Sequence, residues 1–190
     1  MKLRKKEKFV CVISFMFLAS SPAFSATKYK IGDIGPGGGI IIHVEQPPYK
    51  SKRGFTYIEV SPTDVVTNAQ WCNNSPLTIG GNTYWQNQPI GSGSEATATL
   101  VSKCSSGAAQ AASSYVSSTG KSDWYLPTAS EAQWIRPALI SVGKGMPDSN
   151  IWTSSEFDAA LAWVTDLRTG AQNMDYKQHH WAVRAIRKFR

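Results

Sequence analysis

Ser122-Asp123-Trp124-Tyr125-Leu126-Pro127-Thr128-Ala129-Ser130-Glu131 runs from a turn into a helix start and divides the chain in two. Asp123 to Pro127 combines a turn-forming carboxylate, two aromatics and a proline, the composition of a loop locked onto a core. Thr128, followed three residues later by Glu131, matches a capping box, which predicts a helix from there. Pro137 disfavours smooth continuation past Arg136. Upstream, Gly93-Ser94-Glu95 opens another helical stretch. Ala98, Val101, Cys104, Ala108, Ala112 and Tyr115 recur at steps of three and four, and Ser105-Ser106-Gly107 offers a split into two helices.

On both sides of this helical middle the chain reads as strands. Gly39 to Glu45 is a β-branched run after a glycine-rich turn, and Phe55 to Val60 is a second strand, with Pro47-Pro48 punctuating between them. From Ser61 to Ser94 the chain is rich in Asn, Gly, Pro, Ser and Thr, a long loop region with Trp71, Tyr84 and Trp85 as aromatic anchors. The remainder reads as short strands over Ile151–Ser154, Ala162–Leu167, Ala171–Tyr176 and Trp181–Lys188, with Arg168-Thr169-Gly170 as a hairpin turn. The class expected is therefore α+β, one domain, with antiparallel strands at both ends, central helices and long loops. The two end segments are expected to pair in one sheet.

Residues 1–25 read as a signal peptide. Lys2, Arg4, Lys5, Lys6 and Lys8 make a positive start, Phe9 to Phe17 is an apolar run, and Ala23-Phe24-Ser25-Ala26 supplies small residues for cleavage after Ser25. That run is well short of the ~20 residues that span a bilayer, and no second long apolar run follows. The domain then occupies 26–190, in a secreted or periplasmic location. The formal charge of +7 falls to +3 without the first 25 residues, which removes the case for nucleic acid as a partner. Cys11 leaves with the leader. Cys72 and Cys104 remain as an even pair in an oxidising compartment, which predicts a disulfide. No Cys-x-x-Cys spacing marks a redox pair.

Three segments in order, Gly32-Asp33-Ile34-Gly35-Pro36-Gly37-Gly38-Gly39, the Ser122–Thr128 turn and Trp152-Thr153-Ser154-Ser155-Glu156, precede a close on Val183-Arg184-Ala185-Ile186-Arg187-Lys188-Phe189. This set, from Tyr29 to Phe189, resembles the Lcl C-terminal domain family, bacterial extracytoplasmic modules named after a collagen-like adhesin. The resemblance implies a fold related to the C-type-lectin-like and formylglycine-generating-enzyme folds. It also implies anionic polysaccharide, in particular sulfated glycosaminoglycan, as a ligand class. The chain departs from the founding adhesin in lacking a Gly-X-Y tract, and with it the collagen stalk.

No catalytic signature stands out. The glycine run lacks the Lys-Ser/Thr of a phosphate-binding loop and precedes a strand, so it reads as a structural turn. Adjacent His179 and His180 would point to opposite faces of a strand, and His43 reads as packed in its strand. Ser154, Glu156 and Asp158 supply oxygens of the kind calcium takes, but the calcium-dependent lectin signatures are absent. Asp123 beside Trp124 is either a sugar-binding pair or a turn cap with buried aromatics; the turn cap is preferred. There is no Gly-x-Ser-x-Gly elbow. Cys72 and Cys104 do not match the paired active-site cysteines of the formylglycine enzymes. No metal and no cofactor is expected.

The basic C-terminus is the remaining lead. On a continuous strand, Ala182, Arg184, Ile186, Lys188 and Arg190 share one face, and Trp181, Val183, Ala185, Arg187 and Phe189 the other. Arg187 then points with the apolar set, as a paired structural arginine. Arg184, Lys188 and Arg190, with Lys177 and His180, would form a cationic strip for sulfated or phosphorylated polymers. The same strip also fits a solvated edge that blocks strand-to-strand aggregation. The function expected is a non-catalytic, adhesin-like binding module for anionic carbohydrate. The alternative is a structural or protein-contact component of the cell envelope or an appendage; a degenerate enzyme of the formylglycine-generating type is a third.

Overall fold

Ile40–Glu45 (β1), Thr56–Val60 (β2) and Val66–Ala69 (β3) come before the helices Ser92–Lys103 (α1), Ala108–Ser113 (α2), Ala129–Ala132 (α3) and Ile135–Ser141 (α4). Asn150–Glu156 (β4), Leu161–Asp166 (β5), Gln172–Tyr176 (β6), Trp181–Val183 (β7) and Ile186–Phe189 (β8) follow. The computed structural model describes residues 29–46, 55–74, 78–79, 89–144 and 150–190. The expected signal peptide, Pro47-Pro48, Tyr84 and Trp85 lie outside the described residues. The class is α+β, with strands dominating and short helices.

The described strands form two sheets, ordered β1-β2-β8 and β3-β7-β4-β5-β6. The first joins the two ends of the domain, as expected: β2 pairs antiparallel with β1 on one side and with β8 on the other. All residues of β2 are buried, which suits its central position and its Tyr-Ile-Glu-Val sequence. Beside it, the rings of Tyr29, Tyr57 and Phe189 form a cluster with centroids 5.3–5.5 Å apart. In the second sheet β4 and β7 are parallel, with Ile151 opposite Ala182, and the other pairs are antiparallel.

Trp181–Lys188 is not one strand. The chain leaves the second sheet after Val183 and enters the first at Ile186. At the crossing, Ser61 N–H donates to the Ala185 carbonyl (2.8 Å), and Val65 N–H to that of Val183 (2.8 Å). The alternation of faces therefore does not run through Arg184-Ala185. β3 lies in the stretch expected as loop: its middle residues Thr67 and Asn68 are exposed and polar, so its pairing with β7 leaves no apolar pattern.

The helical expectations hold in outline. Thr128 accepts from Glu131 N–H while the Glu131 carboxylate accepts from Thr128 N–H, so the capping box is complete. Pro137 lies in the first turn of α4, where its missing N–H has no intrahelical acceptor. The first helical stretch does split at 104–107, but its buried face differs from the expected stripe. Ala98 and Val101 are exposed; Gly93, Ala96, Thr97 and Leu100 face inward. Small residues and one threonine bring α1 close to Leu126, whose N–H donates to Thr97 Oγ1 (3.0 Å).

The core falls into two clusters. Trp71, Leu100, Trp124, Leu126 and Trp152 lie in one with both cysteines. Ile40, Ile58, Ile135, Leu139, Ile151 and Ile186 centre the other. Cys72 and Cys104 are bonded, with Cα atoms 5.5 Å apart. They fasten the loop before α1 to the end of α1. Replacing both by serine should lower unfolding free energy by about 3–4 kcal/mol, the entropy released to a loop of this length in the unfolded chain. Urea denaturation of the oxidised protein and the variant checks it.

Candidate functional site

Glu59 sits in the middle of β2 with no solvent exposure, and a buried carboxylate requires donors. The glycine run supplies them: Gly37 N–H and Gly39 N–H each donate to it at 3.0 Å. A Cβ on Gly35 or Gly37 would lie 2.4–2.5 Å from the Glu59 oxygens, and on Gly39 2.4 Å from the Val60 carbonyl oxygen. The run is thus a nest for an internal anion. Arg187, one strand over on β8, completes the set with its Nη1 2.9 Å from Glu59. Its Nε donates to Asp123. The expected structural role of Arg187 holds.

The Asp123–Tyr125 turn is bound to β8 by paired backbone hydrogen bonds between Tyr125 and Ile186, both 2.9 Å. On its other side stands the N-terminus of α1. Gly91 there has φ +92°, and a Cβ would meet Lys188 Nζ at 2.6 Å, so glycine is required twice over. Gly91 N–H donates to Glu131 Oε1 at 2.7 Å. Glu131 therefore caps α1 as well as α3. Burial pushes the Glu131 carboxyl up against the pull of these N–H donors. Burial, and then Glu131, pushes the Tyr125 phenol well above its ordinary value.

Between these elements opens a cleft of about 490 Å³, lined by Gly91, Ser94, Glu95, Asp123, Tyr125, Lys188, Phe189 and Arg190. Lys188 Nζ donates to the Ile90 carbonyl at 2.8 Å. An ammonium has three donors, so this bond fixes its position without exhausting it. Arg187 lies 5.4 Å from the Phe189 ring centroid. The cleft thus sets two exposed cations and two exposed carboxylates around an aromatic wall. It suits binding of a polar ligand that carries both acidic and hydrogen-bonding groups.

Of the expected cationic strip, Lys188 and Arg190 line this cleft. Lys177 does not join them: it is fully buried, 2.5 Å from Glu156 and 4.6 Å from the Trp71 ring centroid. Arg184 is also withdrawn. It is buried against Asp64 and donates to the Ser61 carbonyl at 3.0 Å, where the chain changes sheets. His180 is exposed in the turn between β6 and β7, outside the cleft lining. The strip fails because the strand breaks and because two of its charges belong to the core.

The other candidate groups are engaged elsewhere. Glu156 pairs with Lys177, and Asp158 accepts from Ala160 and Leu161 N–H, so neither faces an open oxygen cluster with Ser154. His179 Nδ1 lies 2.8 Å from Asp175. His43 stacks on Trp134 at 4.0 Å, and its burial lowers its pKa. Trp124 is buried with its Nε1 on the Lys121 carbonyl, as the turn assignment expects. Glu95 and Gly91 were missed as site residues, since nothing in α1 alone shows that its start faces β8.

Burial works to raise the Asp123 carboxyl, but Arg187 and the backbone outweigh it and hold it below the ordinary 3.8. A depressed folded value means that the stabilisation is present above about pH 3.8 and is lost as pH falls through the folded pKa. Asp123→Asn should cost on the order of 1 kcal/mol at neutral pH, a modest figure because this side chain is 58% exposed. The difference from wild type should shrink at acid pH, as the Asp123 carboxylate takes up its proton. Urea denaturation at neutral and acid pH checks it.

Against known proteins, the chain matches no family model, and no curated protein matches it significantly.

Proposed function

We propose that the protein is an exported, non-catalytic binding module with a C-type-lectin-like arrangement, and that it holds anionic carbohydrate in the cleft beside β8. The observation that carries this is the placement of Lys188 and Arg190 at a cleft of about 490 Å³ walled by Tyr125 and Phe189. Sulfate or carboxylate groups pair with exposed cations. Glu95 and Asp123 in the same cleft offer acceptors for the hydroxyls that lie between the acidic groups of such a chain. The export half of the proposal rests on residues 2–26. The resemblance to the Lcl C-terminal family supports the ligand class.

A protein-contact role in the envelope has an observation of its own. Gly32 abuts Val142, and around that contact Ile31, Ile140 and Val142 are 52%, 49% and 40% exposed. Such exposed aliphatics suit a partner protein.

Two measurements test the proposal. Retention on heparin across a salt series should fall with salt and drop further for Lys188→Glu/Arg190→Glu, with stability changed by less than about 0.5 kcal/mol. Equal elution of variant and wild type would move the protein-contact role to first place. Intact mass of protein from the extracytoplasmic fraction should show a chain beginning at Ala26; a chain beginning at Met1 would remove export by this route.

A further inference from the structure

Sheet edges expose unpaired N–H and C=O groups, and natural proteins protect them with charge, proline, bulges, brevity or cover. Among the described residues, β1, β8, β3 and β6 are the edges of the two sheets. β1 carries a register shift between Ile41 and His43. β8 carries Arg187 and Lys188 and is bridged by Tyr125 at Ile186. β3 is four residues long with its own shift. β6, Gln172-Asn173-Met174-Asp175-Tyr176, is the edge with least protection: it pairs with β5 in unbroken register, contains no Lys, Arg or Pro, and carries its one charge, Asp175, toward its far end.

The hydrogen-bond phase defines what the edge offers. Asp166 N–H donates to the Ala171 carbonyl, and Lys177 N–H to that of Ala160, both at 2.9 Å. In an antiparallel ladder this turns Ala171, Asn173, Asp175 and Lys177 toward β5, and turns the backbone groups of Gln172 and Met174 outward. Tyr176 is closed: its N–H donates to Asp175 Oδ1 (2.8 Å) and its carbonyl accepts from His179 N–H (2.8 Å). The open stretch is therefore Gln172 to Met174.

We propose that the protein forms a two-fold dimer in which β6 pairs antiparallel with β6 of a second copy, centred on Asn173. This register sets Gln172 against the second copy's Met174 and the reverse, giving four backbone hydrogen bonds and leaving the closed Tyr176 outside. Asn173 faces its own counterpart, and Asp175 faces Ala171, so no like charges oppose. Met174, 45% exposed, lies across β5 from Trp163, and Tyr176, 52% exposed, lies across from Leu161. Pairing covers the apolar flank at Met174 and makes one continuous sheet of ten strands from the two sheets of five. An edge this short buries less than the ~800 Å² per partner of standard interfaces, so the dimer is weak and concentration-dependent.

Sedimentation velocity of the described domain within the full exported chain, from about 5 μM to about 1 mM, reads the association directly. Wild type should pass from monomer to dimer over this range. Met174→Pro removes an outward N–H without touching the β5 ladder. Met174→Lys leaves the backbone intact and places charge on the edge. Each should weaken association by at least about tenfold. Circular dichroism checks the fold, and if the proline variant does not fold, the lysine variant carries the test. A wild type that stays monomeric at the highest concentration overturns the dimer, whether the edge is bare or serves a different protein. Association unchanged in the folded variants also overturns it.

Discussion

The Glu59 carboxylate is buried away from solvent, and the parts of the fold around it are arranged so that it can exist there. Three separate parts of the chain meet it: the Gly35–Gly39 loop with its N–H groups, β2 that carries it, and β8 with Arg187. Burying an ion costs several kcal/mol unless donors and a counter-charge are already in place. This cost makes the three parts interdependent. Removing Arg187 alone leaves a buried anion with only backbone donors, while side chains on the glycines would occupy its space. Through Arg187 the same network reaches Asp123 and hence one wall of the cleft.

Glu131 plays the matching part on the other wall. One carboxylate receives backbone N–H groups from the starts of α1 and α3, and both helix ends favour negative charge. Neither helix start is free to shift without the other, and Tyr125 is held between them by its hydroxyl on Glu131 (3.4 Å). Two buried carboxylates behind the lining thus hold the walls of the cleft, Glu59 through Arg187 and Asp123, and Glu131 through Gly91 and Tyr125. A further buried pair, Lys177 with Glu156, ties the β6–β7 turn to β4 within the five-stranded sheet.

Local chemistry was legible in the sequence wherever it acted over a few residues. The capping box at Thr128 and Glu131, the split of the first helical stretch, the Arg168-Thr169-Gly170 turn and the β-branched run of β1 all depend on neighbours in the chain. The Cys72–Cys104 pair was legible because the expected leader sets Cys11 apart and leaves these two as an even pair. Arg187 is expected as a paired, structural arginine from an alternation running from Trp181, which the crossing breaks; its burial comes instead from distant Glu59 and Asp123. Other features were hidden because their partners are distant. Lys177 looks like any surface lysine until Glu156 and the Trp71 ring are brought to it. Arg184 breaks a strand because Asp64 and the Ser61 carbonyl wait at the crossing. Val101 fits a helical period, yet the docking of α1 on Leu126 chose another face. The cleft is formed by α1, a turn and the last strand, which no local pattern relates.

The aromatic contact of Tyr29 with Phe189, 5.5 Å between ring centroids, has an architectural consequence. The stretch that carries Tyr29 and the stretch that carries Phe189 therefore lie side by side at the three-stranded sheet. Spliced into an exposed loop of another protein, the module would require only a narrow gap between the host's two cut ends, and closing a gap of that size costs little entropy. The cleft residues Lys188 and Arg190 lie just beside that junction, so a host scaffold would sit close to the mouth of the cleft and could shape what enters it.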